Sequence, residues 1–297
     1  MLKLKNIMWE IRTISIEDKN YPKLLKKTKD APKVLYYRGK IENEENCFAI
    51  VGTRMCSPYG KQVALEIAGA LSETGLTIVS GLAPGIDTFA HMATVERNKR
   101  TIAILGTGLD EKSIYPKENI KLARKIIETG GCLISDYPPG TRGTQFTFPQ
   151  RNRIISGLSL GVLVVEAKEK SGALITAEWA QKQNRPVFAV PGPIHSYNSK
   201  GPHYLIKTGA KLVENANDIL KELNLELLKS DINKKIKGET IEENLILGAL
   251  EEEGLDIEKL IERTKLSAAR VASTLAILEI RGEVKNLGGN IYAISHR

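Results

Sequence analysis

From Phe48 to Val213 the chain alternates short runs of apolar, β-branched residues with longer stretches whose apolar positions recur at helical spacing. The runs are FAIVG (48–52), LTIVSG (76–81), TIAILG (101–106), CLISD (132–136), LGVLVVEA (160–167), PVFAVPG (186–192) and AKLV (210–213). This alternation predicts an α/β fold, a mainly parallel sheet covered by helices on both faces. Most runs end in Gly, Pro or a small polar residue. In open sheets of this kind ligands sit outside the carboxyl ends of the strands, where helix N-termini present free backbone N–H groups. The functional residues are therefore expected in the loops that follow the strands.

The pattern changes at both ends. In residues 1–45, NYPKLL and DAPKVLYYRG, with their prolines and Asp30, read as an irregular lead-in that packs on the sheet edge. The α/β domain covers 46–222, and 223–238 reads as a linker in which a lysine-rich helix (221–237) frays. Over 239–297 a second periodicity begins. ETIEENLILGALEEEG, DIEKLIERT and SAARVASTLAILEIRG read as three helices, the last with Ser267 as its N-cap. EVKNLGGNIYAIS then reads as a hairpin turning at Gly288–Gly289–Asn290. Three helices followed by a two-stranded wing describe a winged-helix domain.

At 297 residues with 42% hydrophobic and 26% charged residues, the chain can bury a large core and a small one. The opening MLKLKNIMWEIRT lacks the apolar run of a signal peptide, and no stretch approaches the roughly 20 apolar residues of a membrane span, so a cytoplasmic location is expected. Cys47, Cys56 and Cys132 are scattered, without metal-ligand spacing, and read as reduced core residues. The net charge of +8 is unevenly placed. Residues 1–40 carry 11 basic and 4 acidic groups, whereas the last 60 carry 7 basic and 11 acidic, leaving −4 there and +12 before it. A polyanionic partner therefore suits the first module better than the second.

Five loops carry the candidate chemistry. In VGTR (51–54), Gly52 admits close backbone approach and Arg54 can grip phosphate oxygens with two hydrogen bonds; the competing reading is a tight turn with a surface arginine. SGLAPGIDTFAH (80–91) sets Ser80, Gly81 and Gly85 before a helix starting near Ile86, with Asp87 in its first turn. It is not the GxGxxG fingerprint, and the next strand ends Ile104–Leu105–Gly106 without an acidic residue, which disfavours a dinucleotide cofactor. His91 reads as a packed or capping histidine. SDYPPGTRGTQFTFPQRNRIISGLS (135–159) reads as a long loop ending in Arg151, Asn152 and Arg153. Its Arg142, Arg151 and Arg153 interleave with Tyr137, Phe146 and Phe148, as single-strand binding requires. The two phenylalanines can equally pin the loop to the core. EAKEKSGALITAEWA (166–180) places Lys168, Ser171 and Gly172 ahead of a helix bearing Thr176. AVPGPIHSYNSKGPHYLIKTGAKLV (189–213) reads as a crossover loop, with Lys200 and His203 as either ligand or solvated residues.

IVGTR, SGLAPGIDTFAH, FPQRNRIISGLS, VVEA, SGALITA, AVPG and LIKTGA stand in the order and approximate spacing of the DNA processing protein A family (DprA/Smf), which the chain resembles over roughly residues 20–220. The resemblance implies an extended Rossmann-type domain that binds single-stranded DNA, forms dimers and helps load a RecA-type recombinase in natural transformation and homologous recombination. The winged helix is a frequent companion. Carried over by position, it implies DNA contacts from Arg54, Ser80, Gly81, Gly85, Arg151, Asn152, Arg153, Lys168, Ser171 and Gly172; Phe146 joins them from the stacking argument. Pro84, Asp136 and His203 depart from the family pattern. Neither a nucleophile–base–acid set, a metal cluster nor a Walker lysine stands in the loops, so no catalysis, metal or cofactor is expected. Two rivals remain: a nucleotide-sugar enzyme using Glu178, and a scaffold whose winged helix reads duplex DNA.

Overall fold

The computed structural model describes residues 10–225, 238–250, 254–286, 288 and 290–294. Its contacts divide the chain into two units, residues 1–229 and 230–297.

The strands of the first unit are β1 (Arg12–Ser15), β2 (Val34–Gly39), β3 (Cys47–Val51), β4 (Thr77–Ser80), β5 (Thr101–Ile104), β6 (Cys132–Ser135), β7 (Val162–Val164), β8 (Val187–Ala189) and β9 (Lys211–Leu212). They form one sheet in the order β1-β2-β6-β5-β4-β3-β7-β8-β9. Every pair from β6 to β9 is parallel, while β1, β2 and β6 pair antiparallel. The helices are α1 (Lys23–Lys26), α2 (Pro58–Glu73), α3 (Ile86–Glu96), α4 (Ile120–Glu128), α5 (Thr147–Leu158), α6 (Gly172–Lys182), α7 (Lys200–Lys207) and α8 (Ala216–Glu222).

Both sheet faces are buried. On one, Ala49, Val79, Ile104, Ile134 and Val164 pack against Ile154 and Ile155 of α5 and Ala173 and Ala177 of α6. On the other, Ala103 and Leu133 meet Leu122, Ile126 and Ile127 of α4, and the rings of Phe48 and Phe188 meet at a 60° tilt with centres 5.6 Å apart. From β3 the chain winds outward through β4, β5 and β6, then returns to the other side of β3 to start β7. That reversal opens a crevice at the carboxyl ends of β3 and β7.

Three expectations need correction. Among its described residues the lead-in is not irregular, since β1 and β2 extend the sheet; its prolines at 22 and 32 stand in the connection between them and remove no ladder donor. The loop 135–159 holds α5, because Pro149 occupies the helix's first turn, where a missing N–H breaks no intrahelical bond. The crossover 189–213 holds α7 for the same reason, with Pro202 third in that helix.

The second unit contains α9 (Ile241–Ala249), α10 (Ile257–Thr264) and α11 (Ala268–Ile280), with a sheet of β10 (Leu255–Asp256), β12 (Ile291–Ile294) and β11 (Val284–Asn286) in that spatial order. This is the winged helix, with β10 as an unforeseen third strand. Thr240 and Glu243 form a capping box at α9. Ser267 holds the N-cap position of α11 but makes no side-chain cap bond. Val271, Leu275 and Leu278 pack with Ile246, Leu247 and Leu260 in the unit's own core. Most of the fraying helix and linker expected at 221–238, and Gly289 of the turn, lie outside the described residues.

Candidate nucleic-acid interface

The loop after β3 is shaped by close packing. At Gly52 a Cβ would lie 2.5 Å from the Ile86 side chain and 3.0 Å from the Glu166 carbonyl oxygen. Thr53 N–H donates to that carbonyl at 2.7 Å, and Ile86 N–H donates to the Thr53 carbonyl at 3.2 Å. Arg54 is left exposed. Its guanidinium lies 5.4 Å from the centre of the Phe148 ring, whose centre is 5.7 Å from that of Tyr115. A cation and two aromatic faces thus adjoin, drawn from the loops after β3 and β5 and the first turn of α5.

The loop after β4 works from behind. Ser80 is fully buried, and its hydroxyl donates to the Ile50 carbonyl at 2.6 Å. Gly81 N–H donates to Asp87 at 3.0 Å. Gly85 has φ +80°, and a Cβ there would lie 2.3 Å from the Thr53 carbonyl oxygen, so glycine lets this loop nest against the VGTR turn. Asp87 is buried, and burial raises its pKa, with Arg151 and backbone donors opposing. The Thr101 hydroxyl gives its proton to the Ile78 carbonyl at 2.6 Å, so in its 2.8 Å contact with His91 the imidazole Nδ1 donates. Burial pulls the His91 pKa down to about 3, which leaves it neutral at neutral pH.

Helix α5 separates its two arginines. Arg151 is 4% exposed and donates to the Gly81 carbonyl at 2.8 Å, to the Ile104 carbonyl, and to Asn152 Oδ1 at 3.0 Å. It braces the ends of β4 and β5, and burial lowers its pKa to about 10, Asp87 opposing. Asn152 donates to the Gly172 carbonyl at 3.1 Å, joining α5 to the start of α6. Arg153 turns the other way, pairing with Asp136 at 2.8 Å and donating to the Asp30 carbonyl at 3.1 Å.

After β7, Lys168 and Lys170 are exposed ahead of α6. Ser171 is the N-cap residue of that helix but its hydroxyl makes no cap bond, and the buried Oγ has no partner. Free N–H groups and an unused hydroxyl at a helix start form an anion-accepting corner.

These loops enclose an open cleft of about 1040 Å³ at the switch point. Among the described residues lining it, seven are Lys or Arg and Asp87 is the one acid. Of the residues expected from sequence, Arg54, Arg151, Asn152, Lys168, Ser171 and Gly172 line it, together with Arg142 and Thr176. Ser80, Gly81, Gly85 and Arg153 do not, and Phe146, 73% exposed, stands outside while Phe148 takes its place. Lys112, Lys117 and Lys170 are additions; lysines in a loop following a strand were the available signal. Glu178 lies in a neighbouring groove beside Tyr204 and Thr208. His203 Nε2 sits 3.0 Å from the Gly192 carbonyl oxygen, as a loop brace.

A sheet wound both ways from β3, a cationic cleft at the strand ends and a winged helix define an extended Rossmann-type protein with a cationic switch point. Comparison narrows the class. The chain belongs to the DNA recombination-mediator protein A family, which matches residues 12–224; the DprA winged helix domain matches 235–290. It is 45% identical to the DNA processing protein DprA of Bacillus subtilis over 215 residues, 72% of this chain and 71% of that protein. Against protein Smf of Escherichia coli identity is 44%, over 72% of this chain but 57% of the relative. The solved DprA of Streptococcus pneumoniae superposes with TM-score 0.67 at 43% identity, over 74% of this chain and 77% of that one. DNA processing protein A of Helicobacter pylori, described for its single-stranded DNA binding mode, superposes with TM-score 0.64 at 32% identity, over 73% and 96%.

Proposed function

We propose that the chain binds single-stranded DNA in this cleft without sequence preference and delivers it to a RecA-type recombinase, in the cytoplasm, during natural transformation and homologous recombination. The observation that carries the reading is the make-up of the cleft. Six of its seven cations are exposed, Arg151 being the buried one; Arg54 lies beside the Phe148 ring, which adjoins Tyr115, and the start of α6 adds N–H donors. Such groups address phosphate and the π-face of any base, so they supply affinity without reading base edges. The single-strand binding described for the Helicobacter pylori relative supports the same reading. A homodimer joined through the first unit is part of the proposal.

Binding, rather than chemistry, is the activity we assign. His91 is neutral and enclosed, Asp87 is committed to the Gly81 loop, and Glu178 stands outside the cleft. The winged helix is assigned to protein contact. Arg270 on α11 pairs with Glu242 at 2.5 Å, and Arg281 at its end pairs with Glu239 at 2.9 Å and Glu243 at 3.3 Å. Both arginines are thus already engaged by carboxylates of their own unit.

A gel-shift comparison of single-stranded and duplex oligonucleotides, repeated across salt concentrations, tests the reading. Single strands should bind more tightly, and log K should fall with log salt at roughly −0.7 per neutralised phosphate, or about −2 to −3.5 for three to five contacts. Preference for duplex, or salt-insensitive binding, refutes it.

A further inference from the structure

We propose that the Glu166 carboxylate positions Arg54 for the DNA strand without itself touching that strand. Glu166 follows the apolar run of β7 and is 3% exposed, so its charge needs donors around it. Ser57 supplies two: its backbone N–H donates to Oε2 at 2.9 Å and its hydroxyl to Oε1 at 2.6 Å. Asn198 Nδ2 donates to Oε2 at 3.4 Å and to the Met55 carbonyl at 3.1 Å. The Glu166 carbonyl accepts the Thr53 N–H. One residue therefore holds the chain on both sides of Arg54.

The hydroxyl of Ser57 also accepts the Gly60 N–H at 3.1 Å, capping α2, so the positive end of that helix faces the carboxylate. Gly60 leaves the necessary room, for a Cβ there would lie 2.3 Å from Glu166 Oε2. This arrangement makes a prediction opposite in sign to simple electrostatics. Removing a negative charge near a polyanion site should by Coulomb's law strengthen binding. If the carboxylate instead holds the loop, its removal weakens binding, because Arg54 loses its fixed place.

The role rests on the single-strand reading, and four proteins test it: the parent, Glu166→Gln, Arg54→Ala and the double variant, each titrated with labelled oligothymidylate. Glutamine keeps the volume but turns one acceptor into a donor that opposes Ser57. Glu166→Gln should weaken binding roughly tenfold and lower the melting temperature by a few degrees, since buried donors lose their acceptor, and the double variant should bind no more weakly than Arg54→Ala alone. Hydrogen exchange over residues 52–60 should quicken in Glu166→Gln while the rest of the sheet is unchanged. Tighter binding would show that only charge matters. An equal loss with and without Arg54, or unchanged exchange, would also overturn the role. Should Glu166→Gln fail to fold, Ser57→Ala, which loses the hydroxyl bond, should give a smaller loss of the same sign; no loss overturns the proposal. A parent that does not bind oligothymidylate removes the single-strand reading, whereas exchange, measured without DNA, tests the hold on the loop by itself.

Discussion

Arg151→Met separates a brace from a ligand. Arg151 is buried, its donors are aimed at the Gly81 and Ile104 carbonyls and at Asn152, and Asp87 lies opposite. Methionine fills much of the volume but leaves the Asp87 carboxyl without its cation and two strand ends without their tie. Leaving these buried acceptors unpaired, at about 1–3 kcal/mol each before relaxation, and Asp87 without its neighbouring cation costs about 3–5 kcal/mol in all. For a domain of this size each kcal/mol moves the melting temperature about 2–4 °C, so a fall of about 6–20 °C is expected. The deficit should also depend on pH. Asp87 already has a raised pKa from burial, and losing Arg151 raises it further. With the folded value above the unfolded one, the carboxyl stabilises the fold fully below the unfolded value and loses that contribution as pH rises through the folded value. The gap between variant and parent should therefore narrow as pH is lowered from neutral. Thermal and urea unfolding across pH give the measurement. If the melting temperature moved by less than about 2 °C while single-strand affinity collapsed, Arg151 would be a phosphate ligand and the brace reasoning wrong.

The exposed residues should behave oppositely. Arg54→Ala should leave the melting temperature nearly unchanged, weaken single-strand binding about tenfold, and reduce the salt slope by about 0.7, read by anisotropy titrations. His91 has a folded pKa pulled below the unfolded value, so its contribution is complete above the unfolded value and is lost as pH falls; about 2 kcal/mol should disappear between pH 7 and pH 5. His91→Gln should remove that part of the slope in urea unfolding, and an unaltered slope would show that the imidazole is not the group responsible. Truncation after residue 237 should preserve single-strand affinity to within roughly threefold, because the basic cleft remains. Loss of binding by a truncated protein with native circular dichroism would make the winged helix a DNA reader.

Most of the sheet was legible because its strands are buried on both sides. A run such as LGVLVV at 160–165 has no polar face to confuse it with a surface strand, and the strand itself is Val162–Val164. The winged helix was legible for a similar reason, since its amphipathic periods repeat between clear caps. What sequence obscured was proline. Pro149 and Pro202 read as loop signals, yet each sits in a helix's first turn. The strands β1 and β2 were hidden because TIS and VLYY are short runs among charged residues, and only the pairing of β1 with β2 and of β2 with β6 makes them strands.

The same error of secondary structure decided how much of the site could be read. In a loop, Arg151, Asn152 and Arg153 would all be free to reach a ligand; on a helix, successive residues point about 100° apart. Arg151 therefore enters the core behind the cleft, Asn152 ties two helices, and Arg153 reaches Asp136 on the far side. Phe146 and Phe148 divide likewise, one at the mouth of the helix in solvent and the other against Arg54. Glu166 carried a signal of its own, a charge at the end of an otherwise apolar strand, but its meaning depends on Ser57 arriving from 109 residues away. Partners that distant are fixed by strand order, and the order β4-β3-β7 is what the local pattern of apolar and polar residues leaves open. Residue types and loop positions therefore announce a cationic cleft early, whereas the division between groups left exposed in it and groups that hold the loops appears only with the fold.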